Sequence, residues 1–409
     1  RKGIPAVRLE GMARSPLGLL LPVLCAILVA TPDATAAQRK KKEEPRPLSE
    51  MGVVSQDPQP IGDPALGNFA ERFPDEEWHY LETTHFRIAS SLEKMKLSNK
   101  DKKRLAPELE ALAPYFPSLG MKPSSLPPEV YIVLTGMRLE KLYSEFQAIA
   151  QVTDADFPES RAAQKGQGAY MGDGPYLGER EKFEVVLHAD RLDHMDFTEW
   201  QRGIRANDTV RWHNREPSKL IVSMPCVDGD LRQDRWLWPH LAHNMAHMLL
   251  DGYKFFAYDP PLWMAEGLAL WFEKRIEPES WTRDGGEGVF FEPDRSKDWA
   301  EDARKLVRKK DHTSMIKLLA ARGPADLDRA ANVTAWSITS FLIEQHPDAY
   351  AKLIGAVKAQ LDEQGYPTGR KLGALQRDQF RELWSWTPIQ LEEAWIAWVN
   401  GETAEADSD

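Results

Sequence analysis

At 409 residues, with 42% hydrophobic composition and 14 tryptophans, the chain is long enough for two or three domains with substantial cores. Its net charge of −11 argues against a body built to bind nucleic acid or an anionic membrane surface. The cysteines are Cys25 and Cys226, and the first falls in a segment read below as an export signal, so no intrachain disulfide is expected after processing.

Residues 1–11 precede the first methionine and carry no export or fold signature. Residues 12–37 read as a secretory signal peptide: Met12 and Arg14, an apolar run Leu17–Ala30, and the small-residue site Ala34-Thr35-Ala36. That places the mature protein outside the cell, or in the periplasm or cell envelope, with membrane attachment only if the segment stays uncleaved. Leu24 before Cys25 stands where a lipid-anchor signal wants a small residue. Residues 38–77 combine a charge run with scattered Pro, Gly and Asp and no apolar period, which predicts a disordered linker.

The folded part is expected from Trp78. His85–Ser90 alternates like a strand, and Leu105, Leu109, Leu112 and Tyr115 form one stripe of a helix over 99–115. The short apolar run Val130–Leu134 reads as a buried strand, followed by a helix over 137–151. Between Gly166 and Asp190 a glycine-rich stretch leads into the strand Phe183–His188, as in a hairpin. Lys219–Ser223 is a further strand, within a polar stretch over 191–235 that suggests no function.

The most specific pattern begins at Pro239. Residues 239–250 lack Gly and are apolar between the histidines, which predicts a buried helix with Pro239 in its first turn. His243 and His247 are four residues apart, so both side chains leave one face and can grip a single ion. Eighteen residues separate His247 from Glu266, room for a loop over 251–261 and a second helix, Leu262–Lys274. That helix is apolar nearly all round, so a carboxylate on it needs a metal or a cation to balance it. Gly267 would let another backbone approach closely. The bland alternative is a pair of core histidines hydrogen-bonded to carbonyls and a glutamate paired with an arginine. A third option adds His240, which lies on the same helical face, as an extra ligand; with Glu266 that would be a closed, structural site.

Asp284-Gly285-Gly286-Glu287-Gly288 reads as an exposed loop, and from about residue 300 the pattern is helical throughout. The last helix begins with Thr387 as cap, Pro388 in the first turn and Gln390 completing a capping box. Residues 402–409 form an acidic tail.

The pattern His-Asn-x-x-His-x18-Glu resembles the gluzincin zinc metallopeptidases, whose motif is His-Glu-x-x-His with a downstream Glu on a second helix. The closest likeness is to bacterial secreted proteins of the peptidase MA-like group. The resemblance implies an α+β fold: a zincin-like sheet-and-helix lobe over 78–285 carrying the metal helix and the Glu helix, then an all-α lobe over 286–401. It implies zinc as cofactor, held by His243, His247 and Glu266. A strand beside the cleft could pair with an extended peptide, and Ala169–Met171 or Glu184–His188 are the candidates. This chain departs from the family at Asn244. There the family has its general-base Glu, and an amide cannot accept and release a proton near neutral pH. Related sequences also place an oxyanion-donating Tyr shortly before the position of Trp336, where Ala331, Asn332 and Val333 stand here.

Three functions follow from these residues. The first is a zinc-binding pseudopeptidase that holds a peptide or a cell-envelope protein in its cleft. The second is an active or weakly active zinc hydrolase in which Glu273 or a carboxylate of residues 166–190 replaces the missing base, or metal-bound hydroxide acts with little help. The third is a structural or interaction domain without catalysis.

Overall fold

The computed structural model describes residues 44–402, apart from 75–76, 121, 165–167, 228 and 286–287. The expected signal peptide and most of the acidic tail lie outside the described residues. The chain is 50% helical and 13% strand, a mixed α/β fold with a small mixed sheet. No helix among the described residues is long and apolar enough to cross a membrane.

The expectation of a free linker over 38–77 does not hold from residue 44 onward. Ile61 and the short helix α1 (Phe69–Arg72) pack on the sheet through Phe69 and Phe73. Lys219 Nζ donates to the Pro60 and Gly62 carbonyls at 2.8 and 2.9 Å, while Gly62 N donates to Glu184. A few large apolar residues and a buried ion pair tie down a stretch whose composition looks unstructured.

Strands β1 (His79–Glu82) and β2 (Phe86–Ser90) open the sheet, and a two-residue ladder joins β3 (Met95–Lys96) to β4 (Ser125–Leu126). The helix expected over 99–115 is divided into α2 (Asn99–Arg104) and α3 (Ala106–Leu112), because Pro107 has no N–H to continue the ladder. Val130–Leu134 is not a strand. It lies inside α4 (Pro128–Ala150), a 23-residue helix with Pro128 at its first position. A short apolar run suits either element, and here the apolar pattern runs on through Leu139, Leu142 and Phe146.

After α5 (Arg161–Gln164) the glycine-rich stretch forms a loop rather than a hairpin, with one isolated bridge between Tyr176 and Glu179. At Gly178, φ is +104°, and a Cβ would meet the Lys254 backbone at 2.7 Å, so the loop needs glycine to lie against the turn at Lys254. Then follow β5 (Phe183–His188), α6 (Arg191–Arg202), β6 (Val210–Asn214) and β7 (Lys219–Pro225). The sheet order is β1-β2-β5-β7-β6, with β2, β5 and β7 parallel and the two outer strands antiparallel. Glu184–His188 is therefore in the middle of the sheet and cannot take on a peptide strand; the edge near the histidine helix is β6. Val185, Leu187, Val222 and Met224 face one core, Val186 and Ile221 the other, so helices cover both faces.

Two helices follow, α7 (Asp234–Gly252) and α8 (Leu262–Ile276), then a hairpin of β8 (Ser280–Asp284) and β9 (Val289–Pro293). The remainder is helical: α9 (Trp299–Lys309), α10 (Met315–Ala320), α11 (Arg329–Gln345), α12 (Pro347–Lys358), α13 (Leu372–Trp384) and α14 (Pro388–Val399), the last with its Thr387/Gln390 capping box formed. Gly267 on α8 does admit a close neighbour. A Cβ there would stand 2.7 Å from the Ala335 carbonyl oxygen of α11. One hydrophobic core runs from the sheet through α7 and α8 into these helices.

Candidate metal centre

The histidine helix starts five residues earlier than its proline implies. Asp234, at its first position, accepts from Arg138 Nη1 at 2.6 Å and from Tyr131 Oη at 2.9 Å, and Arg104 also pairs with it. Two guanidinium groups at the helix N-terminus fix where α7 begins. Pro239 thus lies inside the helix, where its missing N–H leaves one ladder bond unmade.

His243 and His247 of α7, Glu266 of α8 and Asp284 of β8 each direct one ligand-type atom into a common space, all within 4.8 Å of one another. The first three were legible from spacing. Asp284 was not: it closes the β8 strand instead of opening an exposed loop.

The surroundings fix which nitrogen of His243 is free. Its Nδ1 lies 2.9 Å from Glu273 Oε2, and Glu273 Oε1 accepts from Ser280 Oγ and Thr282 Oγ1 at 2.5 and 2.9 Å. Burial opposes the Glu273 charge, yet the His243 hydrogen bond and nearby Lys274 hold its carboxyl below the ordinary range. An ionised Glu273 accepts a hydrogen bond from Nδ1–H, which leaves His243 Nε2 without a proton. That atom is buried without a hydrogen-bond partner, as are Asp284 Oδ1 and His247 Nε2, the last of which lies 3.6 Å from Glu266 Oε1. Three orphaned polar atoms around one space are what a cation would satisfy, and two imidazoles with two carboxylates suit zinc or a similar borderline divalent ion. The residues present fit a metal.

Electrostatics agree. Burial, with the Asp284 charge next to it, pushes the Glu266 carboxyl well up, and burial pushes the His247 imidazole well down. Burial also works against Asp284, but the Arg211 guanidinium and its hydrogen bond outweigh it and hold the carboxyl well below the usual range.

His240 is not part of this group. Its Nδ1 and Nε2 lie 2.9 Å from the hydroxyls of Thr282 and Thr209, and burial lowers its pKa to about 3. Because the Thr282 hydroxyl donates to Glu273, it accepts from His240, and a hydrogen-bonded chain runs Thr209–His240–Thr282–Glu273–His243. His240 therefore supports the group from behind.

Asn244 sits one residue after the first histidine, and both ends of its amide are engaged. Its Nδ2 donates to the His240 carbonyl at 2.8 Å, and its Oδ1 accepts from Arg211 Nη1 at 2.6 Å. Arg211, from β6, donates its other amino group to Asp284 Oδ2 at 2.5 Å. Nothing in the sequence marked Arg211, because it arrives from an edge strand 32 residues before the motif.

No protein-family model matches the chain, and no curated protein matches it.

Proposed function

We propose that the protein is a gluzincin-like, zinc-binding pseudopeptidase, exported to the cell envelope or beyond, that keeps the metal site and has lost the chemistry. The observation that carries this reading is Asn244, at the position of the family's general base and clamped between Arg211 and the His240 carbonyl. An amide there cannot take a proton from the attacking water. Zinc would be held there by His243, His247 and Glu266, and it would polarise a carbonyl as a Lewis acid only where a coordination position stays open.

The carboxylates that could substitute have partners, Glu181 in Arg87 and Asp190 in the Leu192 N–H that it caps. Glu273 is spent on His243, Ser280 and Thr282, and Glu179 on Ser218 and the Phe256 N–H. Glu184 is paired with Lys219, and Asp173 with Arg180. On this reading the zincin-like lobe serves as a binding module for a peptide or a cell-envelope protein.

The test is elemental analysis of untagged protein beside a fluorogenic peptide library at neutral pH. The expected result is near one zinc per chain, lost in His243→Ala and Glu266→Ala, with no cleavage above background. Losing a general base costs about 10²- to 10⁴-fold, so weak turnover near the detection limit is compatible. Robust, chelator-sensitive cleavage abolished in His243→Ala would overturn the pseudopeptidase assignment, and metal-free wild type would overturn the zinc.

A further inference from the structure

We infer that Asp284 is a fourth protein ligand, which makes the centre a closed one held by two imidazoles and two carboxylates, with the β8–β9 hairpin as the element that shuts it. The inference rests on the metal-centre reading above and specifies its coordination.

Side chains two apart share a face of a strand, so Ser280, Thr282 and Asp284 point one way while Trp281 and Arg283 point the other. All three on the first face serve the same region. Ser280 and Thr282 hold Glu273, which holds His243, and Asp284 joins the group of four directly. A strand that merely packed nearby would not need three polar side chains in succession on its buried face.

The two oxygens of Asp284 have different duties. Oδ2 takes the Arg211 hydrogen bond, which fixes the carboxylate's orientation. Oδ1 is buried with no partner, in the same condition as the two histidine Nε2 atoms. A carboxylate present only to pair with Arg211 would have no reason to leave its second oxygen dry.

Charge points the same way. Two neutral imidazoles and Glu266 alone would leave a divalent ion with one uncompensated positive charge in a buried site. With Asp284 the sum over ion and ligands is zero. Buried centres that are not neutral are costly. A centre with all four positions filled by protein is structural, whereas a catalytic one keeps a position open.

The hairpin is also held in place. Val289 N donates to the Thr209 carbonyl at 2.8 Å, so β9 bridges to the chain just before edge strand β6. Asp284 pairs with Val289 at the end of the β8–β9 ladder. The same element that supplies the fourth ligand therefore abuts the start of the sheet edge that an extended peptide would need.

The experiment uses cobalt(II) in place of zinc in the full-length protein, because its visible absorption reports coordination number, and acetohydroxamate as a probe for an open position. Wild type should bind one cobalt per chain with an intense four-coordinate spectrum that acetohydroxamate leaves unchanged. Asp284→Asn keeps the shape and can still accept from Arg211. It should bind cobalt at least about 100-fold more weakly, since even lost supporting groups cost 10- to 100-fold, and its spectrum should change on adding the hydroxamate. The double variant Arg211→Met/Asp284→Ala, which leaves no stranded guanidinium, should behave the same way. A wild-type spectrum that responds to acetohydroxamate, or an Asp284→Asn protein with wild-type spectrum and affinity, would overturn the inference. If His243→Ala still abolishes binding in that event, the metal centre stands and only its closure falls. If wild type takes up no cobalt, both fall together.

Discussion

At the scale of single residues, the centre is organised by groups that do not touch the common space. Glu273 decides the His243 tautomer, and His240 contributes only through Thr282. Their substitutions should therefore separate. Glu273→Gln removes the charge that favours Nδ1–H on His243 and should weaken metal binding by about 10- to 100-fold, measured by competition with a chromophoric chelator. His240→Ala takes away a hydrogen-bonded imidazole yet leaves the Thr282 hydroxyl able to donate to Glu273. It should leave metal affinity nearly unchanged while lowering stability by about 1–3 kcal/mol. Equal loss of metal in His240→Ala and His243→Ala would mean that His240 is a ligand after all. Arg211 adds a further consequence. A glutamate installed at 244 would lie against a guanidinium already bound to Asp284, so restoring the family residue alone would give an ion pair in place of a free base.

At the scale of elements, α7 is positioned by its first residue. Burial resists the Asp234 charge, but Arg138 and Arg104 overcome it and lower the pKa to about 2. A depressed carboxylate contributes stability that is complete above the unfolded value near 4 and is lost as pH falls toward 2, on the order of 2–3 kcal/mol. Urea unfolding of wild type should show that loss between about pH 4 and 2, and Asp234→Asn should flatten it while destabilising the protein by about 3–5 kcal/mol at neutral pH through the stranded arginines. An unchanged acid limb in the variant would show that this cluster does not govern acid stability. The same helix shows what sequence can reveal. His243, His247 and Glu266 were legible because their spacing lies within two helices and the turn between them. The helix start was not, because the partners of Asp234 come from α2 and α4, about 100 or more residues away. Asp284 was hidden for a related reason: the glycines after it look like an exposed loop, and the period of two in Ser280-x-Thr282-x-Asp284 is too short to stand out until β8 is seen beside α7.

At the scale of the whole molecule, the candidate ligand atoms come from three elements, α7, α8 and β8, and two of these share a core with the C-terminal helices. A metal there ties the helix pair to the hairpin. The core is extensive enough to fold without it, unlike a zinc finger, so the apo protein should remain folded but weaker. Its weakness is local: two bare imidazole nitrogens and two carboxylates gather in one buried space with Arg211 to balance them. An ion that binds the native state alone stabilises it by about 4 kcal/mol at 1,000 times its Kd. If zinc is the bound ion, stripping it with a chelator should therefore lower the unfolding temperature by on the order of 5 °C, given a little over a degree per kcal/mol in a chain of this size. Re-addition of zinc should restore it. His243→Ala should unfold near the apo temperature and be indifferent to the chelator. The loss should appear first in the amide protection of β8 and β9, since the hairpin reaches the centre through Asp284, and only later in β5 and β7, which are buried on both faces. A chelator that leaves both the unfolding temperature and the hairpin's protection untouched would show that no metal joins these elements.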